Sequence, residues 1–281
     1  MLISAGFRID FTVAAETPML LMLSVHPSRE ADLVDRGALR STPALPLAAY
    51  HDTFGNLVHR ITLPPGTTTV HDAFTIRDDG APDERNPAAQ QWPVQRVPHE
   101  VLPFLLASRY CDIEALNPLA WSLFGRTPLG WARVQAICDY VHERIAFGYQ
   151  HARNTRTASE ANFERTGVCR DFAHLAVTLC RCMNIPARYC TGYLGDIGVP
   201  LDPNPMDFSA WFQAYLDGRW YTFDARHNKP RIGRILMATG RDAVDVAIST
   251  GFGFAQLDRF EVTTLEVAEA PRTAELMGGG R

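Results

Sequence analysis

The dipeptide Asp217-Gly218 constrains this chain more than any other feature. It joins two aromatic, β-prone runs, Phe208 to Leu216 and Arg219 to Ala225. Asp-Gly between such runs is the signature of a tight two-residue hairpin. A turn of that length fixes the pairing: Leu216 meets Arg219, Trp211 meets Asp224, and Ser209 meets Arg226. Side chains alternate along a strand, so Ser209, Trp211 and Gln213 share a face with Asp224. Ser209 is then the diagonal neighbour of Asp224, ~7–8 Å away at the backbone and within reach of a long side chain.

Upstream of the hairpin the pattern is helical. Trp131, Val134, Ile137, Cys138, Val141 and Ile145 recur at helical spacing, which predicts an amphipathic helix over 131–145. A second stripe of Phe172, Leu175, Ala176, Leu179 and Met183 predicts a helix from Cys169 to Met183. Asn184 can end it, and Pro186 cannot continue it. Arg188 to Leu194 reads as a strand, followed by a proline-rich loop, Gly195 to Pro205.

The first eighty residues read differently. Arg8 to Ala14, Leu20 to Val25, Leu57 to Leu63 and Thr67 to Ile76 are short β-prone runs with Gly, Pro and Asn punctuation. That pattern predicts a small sandwich or barrel. The polar stretch from Asp78 to Pro93 carries Pro82, Pro87 and Pro93 and is the linker candidate. The expected division is a β-rich domain over 1–80, a linker over 81–98, a core domain over 99–270 and a tail over 271–281, frayed at its Gly278-Gly279-Gly280-Arg281 end.

Cys169 stands where its helix begins, in Thr166-Gly167-Val168-Cys169-Arg170-Asp171. Unpaired backbone N–H groups and the helix dipole favour an anion there, and thiolate is the nucleophilic form of cysteine. Gly167 lets the backbone approach closely, as a site that admits substrate needs. The N–H of Cys169 is a candidate oxyanion donor, with Tyr149 or Gln150 as a second. The plainer alternative is a buried cysteine in the first turn of a helix. For Asp224 it is a turn residue at a strand end.

Several classes are excluded. Twenty-seven basic residues against thirty-one acidic give a net charge of −4, with no electrostatic footprint for nucleic acid or an anionic membrane. No apolar run approaches the ~20 residues that span a bilayer. The opening MLISAGFRIDF has no secretory pattern, so cytoplasmic residence is the expectation. The six cysteines, Cys111, Cys138, Cys169, Cys180, Cys182 and Cys190, lack zinc spacing, and a disulfide scaffold is not expected. No metal, calcium loop or other cofactor is expected.

GVCRDFAHLAVTLCRCMNIPARYCTGYLGD, followed by AWFQAYLDGRWYTFDARHN, resembles the bacterial transglutaminase-like superfamily, and YHDTFGN resembles the β region that often precedes its core. The resemblance implies an α+β papain-like core, a cysteine-bearing helix packed on an antiparallel sheet, preceded by a small all-β domain. It also implies a Cys–His–Asp triad, with Cys169 as nucleophile and Asp224 as the acid that orients the base. The family's histidine stands just before Ala-Trp, and here that position is Ser209. A serine hydroxyl is no useful base near neutral pH. Among the nine histidines, His227 is the candidate substitute, provided the chain turns after Ala225. His174 and His151 are weaker candidates, and Arg226 is placed to hold a thiolate or a substrate carboxylate.

Two functions follow from these residues. One is thiol acyl transfer, amide or peptide hydrolysis through an acyl-enzyme on Cys169. The other is a non-catalytic module that binds a peptide or protein in a cleft that has lost its base. A redox-sensing thiol without turnover is a third, weaker reading.

Overall fold

The computed structural model describes residues 1–35 and 37–267. The expected tail, 271–281, lies outside the described residues. Fifteen strands and four helices appear among the described residues, along with short 3-10 turns. The early strands are β1 (Leu2–Val13), β2 (Thr17–Leu21), β3 (Leu33–Asp35), β4 (Arg40–Thr42), β5 (Ala48–His51), β6 (Leu57–Leu63) and β7 (Gly66–Arg77). The middle of the chain holds α1 (Ile113–Phe124), α2 (Trp131–Arg144), β8 (Ala146–Phe147), α3 (Ala158–Glu164), β9 (Thr166–Gly167) and α4 (Cys169–Cys182). Then follow β10 (Ala187–Leu194), β11 (Ser209–Leu216), β12 (Arg219–Phe223), β13 (Arg234–Gly240), β14 (Ser249–Gly251) and β15 (Gln256–Val267).

The hairpin forms in the register that Asp217-Gly218 dictates. Leu216 pairs with Arg219 and Phe212 with Phe223. Both turn residues have positive φ, 46° at Asp217 and 81° at Gly218. The strand ends at Phe223, short of the expected Ala225, because the chain turns at Asp224. Strands β12, β11, β10 and β13 lie side by side in that order as one antiparallel sheet.

Helix α4 is the centre of the core. Every residue from Asp171 to Cys182 is buried, so the polar side of the helix, with His174, Thr178 and Arg181, is enclosed as well as its apolar stripe. Phe172, Leu175 and Leu179 pack with Phe212, Ala214 and Leu216 of β11, and with Val134, Ile137 and Val141 of α2. Asn184 ends the helix in a left-handed conformation, φ 60°, as its place before Ile185-Pro186 suggests.

The opening region is a sandwich, and its composition corrects the expected domain boundaries. One sheet runs β15-β1-β7-β3, with β4 also on β7, and the other runs β14-β2-β6-β5. Residues 249–251 and 256–267, expected in the core, pair instead with β2 and β1. Alternation over 256–267 is weak because β15 is a largely exposed edge strand, with only Val262 and Thr264 buried. The Leu20 to Val25 run is also shifted: its strand is Thr17–Leu21. The sandwich and the core are not separate bodies. Tyr193, Phe208, Ile235 and Met237 of the core sheet region share one apolar cluster with Ile3, Phe7, Ile61 and Phe74 of the sandwich.

The expected linker is a strap bonded to the core. The Asp217 amide donates to the Gln90 carbonyl, 3.0 Å, and the Gln90 amide donates back to the Asp217 carboxylate, 3.0 Å. The Trp131 amide donates to Ala89 O, 2.9 Å, and Ala89 is fully buried. Proline-rich polar composition signals irregular backbone, not freedom of movement.

Gly192 sits where β10, β11 and β13 meet, opposite Ser209 and Leu236. A Cβ there would lie 2.0 Å from the Ile235 carbonyl oxygen and 2.9 Å from the Trp211 ring. Backbone cannot rotate away, so Gly192→Ala should destabilise by at least ~2 kcal/mol. Urea unfolding at pH 7 checks this, and a midpoint equal to the wild type would refute it.

Candidate active site

The site begins with Asp224, placed one residue past the end of β12. Its carboxylate is buried and uses both oxygens. Oδ1 accepts the backbone N–H groups of Arg226 and His227, each at 3.0 Å. Oδ2 accepts His227 Nδ1 and Arg234 Nη2, each at 2.8 Å. One carboxylate thus caps the turn and also contacts the His227 ring. Burial by itself would raise its pKa, but Arg234 and His227 outweigh burial and hold the carboxyl well below the usual carboxylate range.

Arg234 continues the chain of charge. Its Nε bonds both oxygens of Asp83 on the strap, 2.9 Å each, and its guanidinium lies 5.0 Å from the Trp211 ring centroid. Sequence spacing gives no sign of this partnership, since Asp83, Asp224 and Arg234 occur in no local pattern. The turn after Asp224 is also pinned to α2. His142 Nδ1 lies 2.9 Å from Arg226 O, and Asn228 donates to Asp139 at 2.8 Å.

Cys169 opens α4. The helix start is fixed by Asp171, whose Oδ2 accepts the Val168 amide at 2.8 Å and Arg156 Nη1 at 2.9 Å. This corrects the reason expected for Gly167. A Cβ at that position would meet the Asp171 carboxylate at 2.6 Å, so the space beside Gly167 belongs to the helix cap and not to substrate.

The half-buried thiol packs against the apolar cluster that includes Ala173, Tyr189 and Ala210. Burial pushes it up to about 11, with Arg226 and the Ala210 amide pulling down and Asp207 and Asp224 pushing up. The helix terminus alone does not make it a thiolate at neutral pH. Its influence by Ala210 and Asp224 places it beside the strand position that holds Ser209.

Ser209, His227, Arg226, Asp207 and Tyr149 line one small cavity of about 100 Å³. The chain does turn after Ala225, and this brings His227 to the same wall as Ser209. His227 is one-fifth exposed, and with Nδ1 held by Asp224 its Nε2 is the free ring nitrogen. Among the described residues no histidine nitrogen hydrogen-bonds the Cys169 sulfur. Arg226 lies 3.7 Å from the Phe147 ring centroid and against Tyr149.

The remaining candidates stand elsewhere. His174 is fully buried behind the helix, where Nε2 accepts the Ala243 amide at 3.1 Å and the ring lies 5.0 Å from both Tyr110 and Tyr189. Burial lowers its pKa. His151 Nε2 lies 3.3 Å from the Gln150 side-chain nitrogen, and Tyr149, unlike Gln150, lines the cavity. Asp207 was not anticipated from the sequence. It lies before β11 begins, where strand alternation has no hold. Among the described residues there is no cluster of metal-binding side chains.

A cysteine at the start of a buried helix, an antiparallel sheet beside it and an aspartate at the end of the next hairpin form a recognisable arrangement. The transglutaminase-like superfamily model matches residues 123–225. The crystal structure of a "Putative Cysteine Protease" from Cytophaga hutchinsonii matches at 30% identity and a TM-score of 0.83, over 96% of this chain and 93% of that one. The chain belongs to the transglutaminase-like superfamily. Its core is the family's thiol-enzyme fold, and the α+β reading of the sequence stands. An uncharacterized Mycobacterium leprae protein is 36% identical over 102 residues, 33% of this chain and 35% of that protein. This chain thus matches about a third of the length of that curated relative. Among the described residues no helix is long and apolar enough to cross a membrane.

Removing the Asp224 charge leaves Arg234 buried beside a neutral amide. Asp224→Asn should therefore lower stability by about 3 kcal/mol at pH 7. The folded pKa of Asp224 lies below its unfolded value of ~3.9, so its contribution is complete above that pH and fades as pH falls toward the folded value. Denaturant melts from pH 7 to roughly 3 should show the gap between the two proteins narrowing by about 1 kcal/mol below pH ~4. A constant gap across that range would contradict the assignment.

Proposed function

We propose that this chain is a thiol acyl-transfer protein acting on amide or peptide bonds, with His227 replacing the imidazole that its family carries at position 209. The observation that carries this reading is the His227 Nδ1 to Asp224 Oδ2 bond of 2.8 Å, on the wall of the cavity that also holds Ser209. An imidazole oriented through one nitrogen by a carboxylate has the other free to move a proton. In this scheme His227 Nε2 takes the Cys169 proton as sulfur adds to the carbonyl carbon. The C–N bond then breaks and the amine leaves with that proton. Water, deprotonated by His227, attacks the thioester and returns the free thiol and a carboxylic acid. An amine in place of water gives transfer rather than hydrolysis.

A second reading is supported by the thiol itself. Its pKa is pushed up to about 11, and no histidine nitrogen among the described residues hydrogen-bonds the sulfur. On this reading the cleft recognises a peptide or protein and does not cut it. Six unpaired thiols support a reducing, cytoplasmic setting for either role.

Site-resolved alkylation by iodoacetamide separates the two. For an active thiol, Cys169 labels faster than the other five cysteines below pH 8, and His227→Gln slows it about tenfold or more. For a binding cleft, labelling follows a thiol with a pKa of about 11 and His227→Gln changes nothing.

Ser209→His provides an independent check on the register. The new ring should reach both Cys169 and Asp224, raising the Cys169 labelling rate at pH 7 about tenfold or more in the binding case. An unchanged rate in that background would show that residue 209 does not face the thiol.

A further inference from the structure

A second cavity of about 600 Å³ is lined by Arg109, Tyr110, Arg170, Tyr189, Thr191 and Val246. Tyr189 and Val246 of its wall belong to the same apolar cluster as Ala210, against which Cys169 packs. Thr191, also on the wall, donates to the Ser209 carbonyl at 3.3 Å. Cys169 thus packs on an apolar cluster that also forms part of this cavity's wall.

The two cavities differ in charge. The smaller one is lined by Asp196, Asp202 and Asp207 as well as by Arg226 and Arg231. The larger one is lined by Arg109 and Arg170 and by no carboxylate. Both guanidinium groups lie 5.5 Å from the ring centroid of Tyr110. Arg170 follows Cys169 directly in sequence and is fixed by donating to the carbonyls of Arg153 and Asn154. Its Nε is buried without a partner. Arg109 is exposed, and among the described residues it has neither a carboxylate partner nor a hydrogen bond. Arg170 feels the Asp171 carboxylate, but the cavity wall itself carries no acid, so two cations beside one ring, with donors unspent, form a site for an anion.

Resting on the acyl-transfer reading of the same cleft, we infer that the Arg109–Arg170 cavity is a subsite for a carboxylate of a bound peptide. The chemistry is shared by an acidic side chain and by a free C-terminus. A planar carboxylate suits the forked guanidinium edge, and Tyr110 holds both forks in place before the ligand arrives.

Titration of the full chain with three short peptides, followed by NMR, tests this. The probes are a blocked peptide with one internal Glu, the same peptide with Gln, and the Gln peptide with a free C-terminus. The Glu peptide, the free-acid peptide or both should bind about tenfold more tightly than the blocked Gln peptide. Whichever of the two gains identifies the source of the carboxylate. The preference should shrink when salt is raised from roughly 0.05 to 0.5 M, as expected of a partly exposed charge pair. In Arg109→Gln it should fall to about twofold or less, with folding unaffected because Arg109 is exposed.

Equal binding of all three peptides, no binding of any, or a preference unchanged in Arg109→Gln would overturn the proposal. The titration does not depend on thiol chemistry. A carboxylate preference in a protein whose Cys169 proves inert would support the subsite while removing the acyl-transfer reading.

Discussion

The Asp224 carboxylate is the interaction on which the site depends. Its two oxygens take four hydrogen bonds, two from backbone N–H groups and one each from His227 and Arg234. Through them it ends β12, turns the chain, aims an imidazole and anchors the first residue of β13. Arg234 carries the connection to Asp83, so the strap is joined to the same network. A buried charge with every lone pair engaged is stable only as a complete set. Loss of one member leaves another charged and dry.

The thiol is governed by a different balance. Helix α4 is enclosed on every side, and Cys169 is the residue at which it reaches the cleft. Enclosure gives the helix its fixed position and also disfavours a charged sulfur. Here Arg226 and the Ala210 amide provide a partial offset, which Asp207 and Asp224 oppose.

Much of this was legible in the sequence because it rests on local rules. Asp217-Gly218 fixed the hairpin register, and the apolar spacing located α2 and α4 within a residue or two. The condition placed on His227, that the chain turn after Ala225, is met by the Asp224 cap. What was not legible is non-local. Nothing near Asp83 announces Arg234, 151 residues away. The strand at 256–267 hides its partner because its exposed face carries Leu257 and Leu265 as readily as charge. Gly167 was read as room for substrate, whereas its space is occupied by Asp171, three residues beyond the helix cap. The cavity of Arg109 and Arg170 is assembled from segments that meet only after folding.

The pairing of β1 with β15 has a mechanical consequence. Leu2 lies opposite Val267, so the sandwich closes behind the core that the intervening chain forms. The core is thus tethered at two points on one sheet, and Tyr193 and Phe208 are embedded in the sandwich as well. A body held twice and glued along a face cannot swing on a hinge. The segment between β10 and β11, which supplies Asp196, Asp202 and Asp207 to the cavity wall, lies outside the regular strand ladders. Any widening of this cavity thus falls to a short stretch of backbone between two strands of one sheet.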